Sequence, residues 1–259
     1  MNTGERDELL AQIKLIELRD SNSLIKEFGK VYSVGYLREY KKLDPGFQLN
    51  YLKKYSNDQV QNFALSLGIT KSSSLMKADT VINDKAVSIK SNNQAPPALV
   101  NHTTRPGFEF AAMHSGGDID ALDKIIYVYW GLRKAGIIGE DIKNSQDYSP
   151  FASNKLVLKP FLNFFLFDGT GSRLSKKTAE FILSFTDPLD TETWSVYDRS
   201  NAIDLYWDKL IFSLRAKKGM PTGYPNVTDY FLPKKPSIDK WTEFIDSEYR
   251  GALHIRSEH

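Results

Sequence analysis

Two residues in the segment Lys77–Ser91, Asp79 and Lys90, have the types and spacing to act on a phosphodiester. Hydrolysing such a bond needs an activated water, stabilised charge on the phosphate and help for the leaving oxygen. A carboxylate that holds a divalent cation and an ammonium beside the phosphate meet those needs. The residues between them must bring the two together. Thr80-Val-Ile82 and Ala86-Val-Ser-Ile89 read as two strands, with Asn83-Asp84 as a tight turn. Pair sums stay constant along an antiparallel ladder, so Asp79 then stands opposite Ser88. Side chains alternate faces, so Ser88 and Lys90 share a face with Asp79. A turn at Asp84-Lys85 would instead set Asp79 opposite Lys90, still on that face. The other face carries Thr80, Ile82, Val87 and Ile89, which suits packing against a core. An ordinary cross-strand ion pair has the same sequence signature and is worth only about 0.2–1 kcal/mol.

The hairpin resembles the PD-(D/E)XK nuclease superfamily, whose pattern is an acid at a strand start, a turn, then acid-any-Lys on the next strand. Asp79 matches the first acid, Ser88 the second-acid position and Lys90 the lysine; Ala78 replaces the name-giving proline. Ser-x-Lys variants occur in the superfamily, chiefly among type II restriction endonucleases, where a carboxylate from elsewhere completes the metal site. Ser88-Ile-Lys-Ser91 followed by Ala95-Pro-Pro-Ala-Leu-Val-Asn101 is similar to the HpaII-like branch of those enzymes. The resemblance covers about residues 4–20 and 75–115. It implies a mixed central sheet flanked by helices, Mg²⁺ as cofactor, double-stranded DNA as substrate, and 5′-phosphate and 3′-hydroxyl products. Palindromic targets imply a homodimer.

Serine brings no negative charge, so a further acid is expected beside Asp79. Glu8 is one candidate, because Gly4-x-x-x-Glu8-Leu9 resembles the first-helix signature of Holliday-junction resolvases and related nucleases. A solvated glutamate in a first helical turn reads the same way. Glu109 is the second candidate. Mg²⁺ takes oxygen ligands and is usually held by one or two carboxylates plus substrate phosphate. The catalytic set is then Asp79, Ser88, Lys90 and Glu8, with Asp79, Glu8 and Glu109 as metal ligands. Asp118 and Asp120 read as helix caps.

Ser91, Asn92, Asn93, Gln94, Asn101, His102 and Arg105 follow the active strand and bear groups that hydrogen-bond bases and phosphates. Lys71, beside Ser72-Ser-Ser74, is a further candidate for a phosphate contact. A polar surface loop and a flexible turn have the same compositions. Lys217, Lys218, Lys234 and Lys235 give the C-terminal half basic character, as a solvated surface also would. Asp168-Gly-Thr-Gly171 lacks the Lys-Ser/Thr ending of a phosphate loop.

The 259 residues make one large domain or two small ones, with 41% hydrophobic residues for a core. There is no cysteine, hence no disulfide or thiolate metal site, and four histidines argue against a His-rich metal centre. A net charge of +2 neither demands nor excludes nucleic acid. No stretch has transmembrane length, and Met-Asn-Thr-Gly-Glu-Arg does not read as a signal peptide, so a cytoplasmic protein with no membrane partner is expected.

The elements expected around the site form an α/β, restriction-endonuclease-like fold. Asn2-x-x-Glu5 and Ser56-x-x-Gln59 are capping boxes for helices to about Arg19 and through Ser66. Residues 91–107 read as a polar loop, and a helix runs from Asp118 or Asp120 to Lys134. Leu156–Phe167 and Phe181–Phe185 read as strands, Asn201–Leu214 and Ser237–Tyr249 as helices, and Ala252–Arg256 as a final strand. The division is a nuclease core at 1–145 and an α+β region for DNA recognition or dimerisation at 146–259. A structure-selective nuclease of resolvase or repair type is the alternative enzyme. A DNA-binding protein with a degenerate nuclease fold is the non-catalytic one.

Overall fold

Helix α1 (Thr3–Asp20) begins where Asn2 accepts from the Glu5 amide and the Glu5 carboxylate accepts from that of Asn2, the capping box expected. The computed structural model describes residues 1–36, 38–70, 75–93, 97–216 and 239–258. Along the chain there follow β1 (Leu24–Ile25), β2 (Gly29–Lys30), α2 (Asn57–Ser66), β3 (Thr80–Ile82), β4 (Lys85–Ser91), β5 (Ala98–Thr103), α3 (Arg105–Ser115) and α4 (Ile119–Lys134). Then come β6 (Ile142–Lys143), α5 (Lys155–Asn163), β7 (Gly169–Thr170), β8 (Arg173–Leu174), β9 (Phe181–Phe185) and β10 (Ser195–Asp198). The described chain ends with α6 (Ala202–Tyr206), β11 (Leu210–Ala216), β12 (Glu243–Ile245) and β13 (Glu248–Ser257). This is a mixed α/β protein. No helix among the described residues is long and apolar enough to cross a membrane.

The chain forms two compact units, one of residues 1–95 and 175–202, the other of 96–174 and 203–259. The divisions therefore fall at 95, 174 and 202, where a single one near 145 was expected. The physical reason is strand pairing. β9 lies parallel to β4, Val87 facing Phe181 and Lys90 facing Ser184, which draws residues 175–202 back to the N-terminal unit.

The first unit is built on a four-stranded mixed sheet ordered β10-β9-β4-β3. β3 and β10 are antiparallel to their neighbours and only β4–β9 is parallel. Ile82, Val87 and Ile89 project from one face into a core with Leu10, Ile13 and Ile16 of α1 and with Val60 and Ala64 of α2. α2 starts at the second expected capping box, Ser56 with Gln59. It is followed by Gly68 at φ +90°, a left-handed conformation that favours glycine.

The second unit has a sheet ordered β12-β13-β11-β6, with β5 also pairing β13. Phe212 of β11 stacks on Phe151, ring centres 4.1 Å apart, and Phe108 of α3 packs against Phe161, Phe165 and Trp241. Four expectations are corrected here. Leu156–Phe167, expected as a strand, is α5 continued by a π-helical turn at Phe164–Asp168. Asn201–Leu214, expected as a helix, is helical only to Lys209 and then becomes β11. Residues 98–103 of the expected loop form β5. Within 239–249, where a helix was expected, β12 and the start of β13 form a hairpin.

Candidate active site

The turn between β3 and β4 has Asn83 at φ +47° and Asp84 at φ +66°. Two successive positive φ values characterise the hairpin turn that matches strand twist, and Asn and Asp tolerate them. The Asn83 side chain also ties the turn down. Its Oδ1 accepts from the amides of Tyr32 (2.9 Å) and Ser33 (3.3 Å), and its Nδ2 donates to the carbonyls of Phe28 (3.2 Å) and Lys30 (2.7 Å). With this turn Thr80 pairs Val87 and Ile82 pairs Lys85, the first of the two registers considered above.

The ladder stops at the pair Thr80–Val87, and there Asp79 takes over. Its backbone amide donates to the Val87 carbonyl at 2.8 Å. Its Oδ2 accepts from the Ser88 hydroxyl at 3.1 Å and from the Ile89 amide at 2.7 Å. A side-chain oxygen thus satisfies a strand amide that the shorter partner strand does not reach, which fixes the carboxylate's position. Ser88 is buried, and the register explains the serine. A carboxylate at position 88 would bring a like charge within hydrogen-bonding range of Asp79, whereas the hydroxyl donates to it.

Lys90 lies two residues beyond Ser88, so alternation puts it on the same face. It is half-buried, beside buried Ser184 on β9. Among the described residues its ammonium enters no hydrogen bond and no ion pair. The simple cross-strand salt bridge with Asp79 is therefore not formed. On the other face, Tyr40 donates its hydroxyl to Gln12 of α1 at 2.9 Å. Burial pushes the Tyr40 phenol up, the Thr80 hydroxyl pulls it back, and the Asp79 charge adds to the rise.

Glu8 sits half-buried on α1, but the carboxylate of that helix that turns inward is its neighbour Asp7, 4% exposed. Asp7 Oδ2 accepts from the Ser91 hydroxyl at 2.7 Å and from Asn93 Nδ2 at 3.4 Å. Asp7 and Asn93 line a cleft of about 240 Å³ with Arg6, Lys53 and Asp187. The sequence pattern passed over Asp7. Its spacing to Leu10 and Ala11 places it on a core-facing stripe, but Glu8 stands in the same relation to Ala11 and Gln12, and only packing separates them. Among the described residues no group of three His, Cys, Asp or Glu side chains is placed to hold a metal ion.

The candidate DNA contacts divide by what the fold does with them. Ser91 and Asn93 hold Asp7, and Asn92 donates to Ser184 Oγ at 2.8 Å. Asn101 is exposed on β5. His102 packs its ring on His254. Arg105 makes a two-pronged pair with Asp123, at 2.8 and 2.9 Å, and also pairs with Glu109. Those carboxylates hold its guanidinium well above its ordinary pKa. Glu109 is thus paired within α3 of the second unit. Gln94 and Lys71 lie outside the described residues, as do Ser72-Ser-Ser74 and the lysines at 217, 218, 234 and 235.

No protein-family model matches this chain, and neither a curated protein nor a solved structure matches it.

Proposed function

We propose that the chain is a Mg²⁺-dependent, sequence-specific double-stranded DNA endonuclease of the type II restriction class, acting as a homodimer. The observation that carries the reading is a fixed carboxylate and a half-buried ammonium on one hairpin. Asp79 is fixed by Ser88 and the Ile89 amide, while the half-buried Lys90 has no partner among the described residues. A partly desolvated ammonium left without a counter-charge does nothing for stability, and a phosphate would supply that counter-charge.

The residues fit Mg²⁺ as a sparse site. Asp79 offers one carboxylate, and this cation is commonly held by one or two carboxylates together with waters and substrate phosphate. The chemistry Mg²⁺ supplies when bound is polarisation of the phosphate and a more acidic water. Asp79 would hold it, with Ser88 and the Ile89 amide keeping the carboxylate in place. Lys90 would stabilise charge developing on the phosphate oxygens and orient the attacking water. Attack in line leaves a 5′-phosphate and a 3′-hydroxyl.

The lack of a three-carboxylate or histidine group among the described residues favours a second reading, a DNA-binding protein without cleavage. One experiment separates the two. Purified protein is incubated with unmethylated phage DNA, with Mg²⁺ or with EDTA, beside the Lys90→Met variant. Discrete fragments that require Mg²⁺ and vanish in the variant support the restriction enzyme. A smear supports a non-specific nuclease. Intact DNA that is nonetheless retarded in a gel refutes cleavage and supports the binder, with branched substrates then testing the structure-selective enzyme.

A further inference from the structure

The second unit carries a cluster that the hairpin chemistry does not use. β5 and β13 pair out of step: Leu253 faces Thr103 and Ile255 faces Val100, so Asn101 and His102 together stand against His254. The extra residue lets His102 adopt φ +41°, and bulges of this kind re-aim a side chain. The His102 ring lies 4.5 Å from that of His254, tilted by 38°. His254 is 9% exposed, and its Nδ1 is buried with no hydrogen-bond partner. Arg256 shares the His254 face of β13 by alternation, and its Nε, an obligate donor, is likewise buried without an acceptor. Across the sheet Ser213 pairs with His254, and Arg215 donates to Ser213 Oγ at 3.0 Å. Asp141 serves both arginines, at 2.9 Å from Arg215 and 2.7 Å from Arg256.

The electrostatics select the ligand. Burial pushes the His254 imidazole down to about 4, His102, Arg215 and Arg256 push it the same way, and only Asp141 opposes them. Two guanidinium groups stand on this face, and the buried Nε donor of Arg256 has no acceptor, which disfavours a metal cation and favours an anion. The buried Arg256 Nε–H without an acceptor requires that the anion bring oxygens, and guanidinium groups match phosphate geometry. The geometry points to a phosphate-binding site on this sheet face, formed by Arg256, Arg215, His254 and His102. A bound phosphate replaces Asp141 as the counter-charge the two arginines share. Asp141 also lines an open cleft of about 480 Å³ with Ile138, Ile142 and Gln146, so the carboxylate that the arginines share reaches solvent. The site requires neither Asp79 nor Lys90, and it stands or falls apart from the endonuclease reading.

The phosphate can belong to a polynucleotide backbone or be free in solution. The chain has four histidines, at 102, 114, 254 and 259, few enough to resolve individually. Imidazole nitrogen spectra of the full-length protein are recorded during titration with inorganic phosphate and, separately, with a short DNA duplex at constant ionic strength. His102 and His254 are expected to shift while His114 stays, and the titration midpoint of His254 to rise by about one unit or more as the anion stabilises its charged form. Arg256→Gln is expected to weaken binding about tenfold or more, the loss of one charge-assisted hydrogen bond, with the rest of the spectrum reporting an intact fold. Tighter binding of the duplex assigns the site to a polynucleotide backbone, and binding of phosphate alone assigns it to a small phosphate compound. Resonances of His102 and His254 unmoved by either ligand overturn the site, as does unchanged affinity in Arg256→Gln.

Discussion

Replacing Lys90 by methionine separates a catalytic lysine from a structural one more cleanly than any other change at the hairpin. Methionine keeps most of the apolar stem and removes the charge. The ammonium makes no hydrogen bond or ion pair among the described residues, so its removal leaves no carboxylate or carbonyl unsatisfied. It also removes a half-buried charge that has no partner among the described residues. The free energy of unfolding should therefore stay the same or rise by up to about 1 kcal/mol, which in a chain of this size is an upward shift of about 0–4 °C in Tm. DNA cleavage, in contrast, should fall by about 10²–10³, the usual loss when one group stabilising transition-state charge is removed. Calorimetry and a Mg²⁺-dependent cleavage assay on the same preparation read both quantities. A variant that unfolds at lower temperature yet cuts at the wild-type rate would refute the argument, because Lys90 would then be structural.

Three further outcomes are expected. Asp79→Ala strips the acceptor from the Ser88 hydroxyl and the Ile89 amide. It should lower stability by about 2–4 kcal/mol in urea unfolding and abolish cleavage, whereas a loss of activity in Asp79→Ala without any loss of stability contradicts the hydrogen bonds described. Asn83→Gly keeps the positive φ of the turn but loses four hydrogen bonds. A destabilisation of about 2–4 kcal/mol is expected, and a near-neutral result would mean that turn geometry alone holds the hairpin. His254 is pushed down to about 4 in the fold against an ordinary 6.5, so the unfolded chain binds its proton more readily. Stability should be flat above about pH 6.5 and fall towards pH 4 by about 2 kcal/mol once solvent screening is allowed for. His254→Gln should remove that part of the slope, and a variant with the wild-type pH profile would rule it out.

Local chemistry was legible in the sequence wherever neighbours in the chain decide the structure. Both capping boxes, the Asn83-Asp84 turn and the Thr80–Val87 register rest on contacts a few residues apart, between groups whose types declare their partners. Strand Phe181–Phe185 and helix α4 followed equally from composition and punctuation. Where both faces of an element are buried, the pattern no longer separated helix from strand. The Phe-rich run at residues 161–167 is almost wholly apolar because it is enclosed, and it folds as the end of α5 and a π-turn. Leu210–Leu214 is apolar for the same reason, and it is a strand.

What the sequence by itself determined is therefore the hairpin: its turn at Asn83-Asp84 and the register that pairs Thr80 with Val87. The tertiary structure alone decided which strand flanks that hairpin, since the pairing of β4 with β9 joins residues about ninety positions apart. It alone selected Asp7 rather than Glu8 as the inward carboxylate of α1, because both occupy core-facing helical positions and only the placement of Ser91 and Asn93 distinguishes them. It alone made a strand of Ala98–Thr103, whose polar residues favour a loop until β13 supplies backbone partners, and so set His102 against His254. Periodicity records how much of a segment is buried; the identity of what buries it is a property of the folded chain.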